Sequence, residues 1–261
     1  GAFIASGSLT LATTAGLAGR DITIKNSIFE GGYYCFTFMG PTAAPFASNN
    51  LIENNIIRDF YLYGLYSSNQ DSTIYRHNDI NRALRTGTIT TFYGMYLTGN
   101  MTDVVADGNK IHNPGDGNLA ATFSDYAFYL SGANASAADP MYIINNALYN
   151  LNGAGLTNAF YLLSGNYIHF YHNTVNIENA TATTATGTQR AFHIGATTGN
   201  FFIKNNIFQL SHVGSGAKHI IYLTSAVPTY SIDYNQYYLG ASAGTNSFGY
   251  YATANVPTFA A

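Results

Sequence analysis

The residues best suited to acid–base chemistry fall close together late in the chain: Arg190, His193, Lys218 and His219, with Tyr161 and Tyr222 beside them. A guanidinium can neutralise a carboxylate. A histidine can take a proton near neutral pH, and a tyrosine or histidine can return one. β-Elimination from a uronate needs such a set: a cation against the carboxylate, a base for the C5 proton and an acid for the leaving oxygen. Arg190, His193 and His219 are therefore the candidate catalytic residues. The supply of acids argues against them. The chain has three Glu and ten Asp, and Glu178 and Asp233 are the acids nearest in sequence to the group. No acidic cluster is available to hold calcium there. No carboxylate pair stands out for glycoside hydrolysis, which needs two at a fixed separation.

A second candidate is a series of tyrosines. Thr37, Tyr66, Tyr96, Tyr129, Tyr161, His193, Tyr222 and Tyr251 each follow a buried-type residue at the same place in a recurring block. Stacked in register they form an aromatic stripe. Aromatic faces suit sugar rings, so Tyr66, Tyr96, Tyr129, Tyr161 and Tyr222 are the candidate ligand-binding residues. Cross-strand stacking alone also accounts for such a stripe. Gly64, Gly94, Ala127, Ala159 and Ala191 are expected to keep the neighbouring outward column flat.

The elements that position both groups follow from a repeat. The frame apolar–x–Asn/His–Asn–x–apolar recurs eight times. It runs from Ile24-Lys25-Asn26-Ser27-Ile28-Phe29 to Ile232-Asp233-Tyr234-Asn235-Gln236-Tyr237. Its fourth position is Asn in seven copies: Asn55, Asn78, Asn109, Asn146, Asn173, Asn206 and Asn235. The steps from Ser27 onward are 28, 23, 31, 37, 27, 33 and 29 residues. A period near thirty marks a stacked-repeat architecture. Apolar alternation on both sides of the Asn pair reads as strand, corner, strand. Equivalent asparagines on successive coils can then bond amide to amide as a ladder. His77 and His172 fall in this corner and are expected to substitute for a ladder amide. The second block, as in Tyr126-Ala127-Phe128-Tyr129-Leu130, supplies a third strand. Alternation turns Phe36, Leu65, Met95, Phe128, Phe160, Phe192 and Ile221 inward. The expected fold is all-β: about eight three-strand coils of a right-handed parallel β-helix, roughly 38 Å long at about 4.8 Å per coil.

The Ile-x-Asn-Asn-x-Ile frames and Ala-Phe-Tyr-Leu-Ser-Gly strands resemble right-handed parallel β-helix repeats of secreted bacterial proteins. Such repeats occur in pectate lyases, other polysaccharide lyases, glycosidases and surface adhesins. The resemblance covers roughly residues 20 to 255. The tail, from Ser231-Ile232-Asp233-Tyr234-Asn235 through Tyr251 to Phe259, resembles the end of β-helix modules in long Bacteroidetes surface proteins. It implies a secreted or cell-surface location, and it is specific for architecture rather than activity.

Composition bounds the rest. Charged residues make up 9% of 261 and the net charge is −3, which leaves no basic footprint for nucleic acid. Cys35 is the single cysteine, so no intrachain disulfide or zinc motif can form. No cofactor and no metal site is expected. No apolar run is long enough to span a membrane. Gly1-Ala2-Phe3-Ile4 lacks the basic start of a signal peptide. Residues 1–261 are read as one β-helix domain and as a segment of a longer chain. Gly115–Ser124, Ala133–Asp139, Thr181–Thr188 and Ala241–Asn246 read as loops at coil corners. The second frame position (Lys25, Glu53, Arg76, Asp107, Ile144, Tyr171, Lys204, Asp233) reads as a surface charge ladder. Sequons at Asn100, Asn134 and Asn179 matter only in a glycosylating host. The expected function is a non-catalytic structural or adhesive segment. The alternatives are a glycan-binding module using the tyrosines and a polysaccharide lyase. The expected partners are glycans, neighbouring domains or further copies of the chain.

Overall fold

The computed structural model describes residues 19–118, 121–179, 186–196, 198–240 and 242–258, together with the backbone of 3–4. Parts of three expected loops (119–120, 181–185 and 241) and the tail residue Phe259 lie outside the described residues.

The chain winds through three parallel sheets in strict rotation. The first sheet holds the strands that lead into each Asn corner, from Thr23–Lys25 to Thr229–Asp233. The second holds the strands that leave it, from Ile28–Glu30 to Gln236–Leu239. The third carries the tyrosine blocks, from Tyr34–Met39 to Asn246–Tyr251, and reaches eleven residues at Phe92–Thr102. The first and second sheets have eight strands each. The result is a parallel β-solenoid of eight rungs, about seven turns from first to last. At its end Ala254–Val256 folds back antiparallel on the last long strand.

Each rung turns at the Asn frame because its third residue adopts the left-handed backbone. Asn26, Asn54, His77, Gly108, Asn145, His172, Asn205 and Tyr234 all have φ between 54° and 63°. Asn is enriched in that region, and glycine enters it without strain. At Gly108 a Cβ would also stand 2.5 Å from the His77 ring of the previous rung. The fourth residue turns inward. Asn55, Asn78, Asn109, Asn146, Asn173 and Asn206 are buried. Each donates from Nδ2 to the Oδ1 of the next, over 2.9–3.0 Å. Each also donates to a main-chain carbonyl one rung back, as Asn146 does to Ala106 at 3.0 Å. The same Oδ1 accepts the main-chain N–H of the preceding ladder residue, as Asn173 does from Asn146 at 3.0 Å. Every amide in the middle of the run is therefore satisfied, as a buried polar group must be. Asn235 closes the line, half-buried, bonded to Asn206 and to the Ile203 carbonyl.

His77 and His172 take no part in this line. They sit one position earlier, exposed on the left-handed corner. The period-two reading missed this because the corner residue itself interrupts the alternation.

The interior is filled by Ile and Val of the first two sheets and by an aromatic column from the third. Phe128, Phe160 and Phe192 stack at 5.3 and 5.4 Å, and Phe170 meets Phe192 edge-on at 4.7 Å. The small residues do not face out. Gly64, Gly94, Ala127, Ala159 and Ala191 are buried. A Cβ on Gly94 would lie 2.5 Å from Ile111 Cγ2, inside the tube. The third sheet therefore turns two consecutive residues inward at this point, and strict alternation breaks there. Most described insertion residues lie at one corner, between the second and third sheets (82–91, 113–118, 121–124, 150–156, 178–179, 186–188, 211–217).

Candidate functional site

The bend at the small residue places two tyrosine columns side by side on the third sheet. One is Tyr34, Tyr63, Tyr93 and Tyr126. The other is Tyr66, Tyr96, Tyr129, Tyr161, His193, Tyr222 and Tyr250, with the buried Thr37 ahead of it. Within the first column rings lie nearly parallel at 4.6, 4.9 and 5.2 Å. Within the second, Tyr66, Tyr96 and Tyr129 stack at 4.8 and 4.7 Å. Across the columns rings meet edge to face, as Tyr63 does Tyr66 at 5.3 Å and 84°. The faces are thus turned toward neighbouring rings, and the tyrosines are half-buried. Burial pushes the Tyr66 and Tyr93 hydroxyls up to about 12, so both are neutral.

The sequence reading identified only one of these columns. A Tyr three residues before each stripe tyrosine (Tyr63/Tyr66, Tyr93/Tyr96, Tyr126/Tyr129) was the available signal. The stripe also ends differently. Tyr222 pairs with Tyr250, and Tyr251 pairs with Leu223 and is exposed.

The stack is interrupted where the acid–base residues stand. Asn158, Arg190 and His219 follow Tyr126 in the first column, so Arg190 and His219 are neighbours on adjacent rungs. Tyr161 turns edge-on to Tyr129 (71°). His193 packs 4.5 Å from Tyr161 and 4.9 Å from Tyr222. Its Nδ1 bonds Asn158 Oδ1 at 3.0 Å, and its Nε2 has no partner among the described residues. Burial first, then the charge of Arg190 and the His219 ring, pull the His193 imidazole down to about 3. His193 is therefore neutral and held at one nitrogen. Burial also lowers His219, whose Nε2 bonds Asn255 Oδ1 at 2.9 Å. Arg190 lays its guanidinium carbon 3.9 Å above the Tyr222 ring. Lys218 leaves the group: its Nζ is buried and donates to the carbonyls of Gly214, Gly216 and Ala243.

A carboxylate missed in the sequence lies two rungs earlier. Asp125 is fully buried, accepts from Thr157 Oγ1 at 3.4 Å, and has an unpartnered Oδ1. Burial raises it to about 8, against the pull of Arg82. Arg82 is itself buried. It donates to Pro114 O at 2.6 Å and Tyr61 O at 3.0 Å, and packs on the Phe92 and Phe123 rings at 5.3 and 4.8 Å. The signal was a register column of Phe92, Asp125, Thr157 and Gln189, in which one member is an acid.

The surface charge ladder is partial. Arg76 and Glu53 meet at 2.7 Å, and a second pair, Arg58 and Glu30 at 2.7 Å, lies on the second sheet. Among the described residues no group of three or more His, Cys, Asp or Glu is placed to hold a metal ion. Among the same residues no helix is long and apolar enough to cross a membrane.

Fold and site together define a parallel β-solenoid whose longest sheet carries a double tyrosine column interrupted by a histidine–arginine group. Comparison with protein-family models, curated proteins and solved structures finds no match to this chain.

Proposed function

We propose that this chain is a non-catalytic structural or adhesive segment of a secreted or cell-surface protein. The observation that carries this reading is how the third sheet's outward side chains are used. Ring faces stack on rings, His193 is tied to Asn158, and no ion pair forms with Arg190 among the described residues. A base for C5 proton abstraction must reach substrate with a free lone pair. The unpartnered nitrogen of His193 is instead inaccessible to solvent. The amide ladder from Asn55 to Asn235, with the ring stacks beside it, suits a stiff rod. The resemblance of the Asn frames to repeats of secreted proteins, and of the tail to the end of modules in long surface proteins, supports the location.

A screen against pectin, alginate and glycosaminoglycan, following absorbance of the unsaturated product, tests the reading. No product is expected. Product formation abolished by His193→Ala or Arg190→Ala would establish a lyase instead. Surface proteolysis of intact cells making the full-length protein tests the location: cleavage is expected, and full protection counts against it.

Glycan binding is a second reading, favoured by the row of half-buried tyrosine hydroxyls. With ring faces covered, contact would run through hydroxyl edges more than through face stacking.

A further inference from the structure

The third sheet carries two cations, and they are treated differently. Lys218 is enclosed by three carbonyls. Among the described residues Arg190 meets no carboxylate, and its close partner is the Tyr222 ring. It stands at the edge of a depression of about 250 Å³ lined by Thr188, His219, Tyr222, Tyr250 and Asn255 among others. No acidic side chain lines it. Unpartnered buried polar atoms gather here. Arg190 Nε and His219 Nδ1 lack hydrogen bonds, as does His193 Nε2 beside them, and the two histidines are only 5% and 8% exposed. These atoms are closed to solvent and do not themselves meet a ligand; a cation left without a carboxylate at the edge of an open depression whose described lining holds no acid is what points to an anionic one.

The chemistry of the walls limits that ligand. One guanidinium answers one oxyanion, in the two-pronged geometry it forms with carboxylates. A polyphosphate or nucleic acid would call for several cations, and the chain's net charge is −3. Hydroxyls and an amide around the cation suit a ligand that is itself rich in hydroxyls. The volume is below that of a drug-sized pocket and fits a single sugar unit. Resting on the glycan-binding reading, we propose that this depression takes one carboxylate-bearing sugar of an acidic glycan. Arg190 holds the carboxylate, and Tyr222, Tyr250 and Asn255 meet the sugar hydroxyls.

Calorimetric titration of the intact protein at neutral pH and low salt tests this. The probes are a galacturonate trimer, its methyl ester and sodium sulfate. The trimer is expected to bind, with affinity falling about tenfold or more for the ester and in Arg190→Gln, a loss readily resolved by titration. Arg58→Gln, on another sheet, should leave it unchanged. Arg190→Lys keeps charge without the fork and should weaken binding by less. Ester binding as tight as the acid would overturn the proposal and leave glycan binding standing. No binding of either saccharide would remove both. Sulfate binding as tightly as the trimer would overturn the sugar part and leave an adventitious ion only. The acid–ester comparison needs no variant, so misfolding of Arg190→Gln cannot obscure the result.

Discussion

At the scale of single residues, Asp125 makes stability depend on pH in an unusual direction. Its carboxyl is raised to about 8 by burial, whereas an unfolded chain would hold it near 4. Between those values the folded state keeps a proton that the unfolded state has released. Its contribution is full below about pH 4 and is lost as pH rises through about 8. The expected slope is a loss of up to about 1.4 kcal/mol per pH unit. Asp125→Asn should flatten it and raise stability at pH 8. Urea midpoints at pH 5, 6.5 and 8 for both proteins check this, and parallel curves would refute it. The ladder is a second residue-scale case. Asn146→Ala removes a donor to Ala106 and Asn173 and the acceptor for Asn109. It leaves those groups buried without partners, for a loss of about 1–3 kcal/mol. An unchanged denaturation midpoint would count against the ladder's stabilising role. The ladder was legible in the sequence because seven of the eight frames repeat its Asn. Asp125 was not, since nothing local distinguishes a buried acid from a surface one until the register is known.

At the scale of the strand, the third sheet shows why alternation alone misplaces residues. Tyr93 and Tyr96 both face out although three positions separate them, because Gly94 and Met95 both turn in. A rule of period two cannot represent that bend, and one slipped position exchanges faces. It therefore identified the inward Met95 and Phe128, misassigned Gly94 and Ala127, and overlooked the column of Tyr63, Tyr93 and Tyr126. Tyr250 stands where Tyr251 was expected for another reason: Gly249 pairs with the inward Ile221, one place later than the small residue of the other blocks. The bend has a steric consequence. The position is Gly on two rungs and Ala on three. At Gly94 a Cβ would come within 2.5 Å of Ile111 Cγ2 and 2.7 Å of the Ala127 carbonyl. Gly94→Ala should therefore destabilise through overpacking, by about 1–3 kcal/mol. A thermal midpoint equal to the parent's would show that the rung can widen at no cost.

At the scale of the whole molecule, each rung touches only its neighbours, so stability is a sum of rungs and interfaces between them. The interfaces are unequal. Central rungs bury Ile111, Leu148, Val175 and Phe208 on the second sheet, whereas Tyr237 and Leu239 of the last rung are only half-buried. The ladder behaves likewise: Asn109 and Asn146 have neighbours on both sides, and Asn235 has its ladder contact with Asn206 alone. Below the last rung, Ile221, Ile232, Tyr237 and Val256 line an open apolar concavity of about 390 Å³. Apolar contact and amide bonding therefore decline together toward that end. Hydrogen exchange followed by mass spectrometry should resolve the gradient. Amides of Lys110–His112 and Ala147–Tyr149 are expected to exchange only with global unfolding. Those of Gln236–Leu239 should exchange faster, through local opening. Uniform protection from first rung to last would mean that the solenoid opens as one cooperative unit and that the last rung carries no local weakness. A gradient that steepens in Asn146→Ala would show that the amide line, more than side-chain packing, couples one rung to the next.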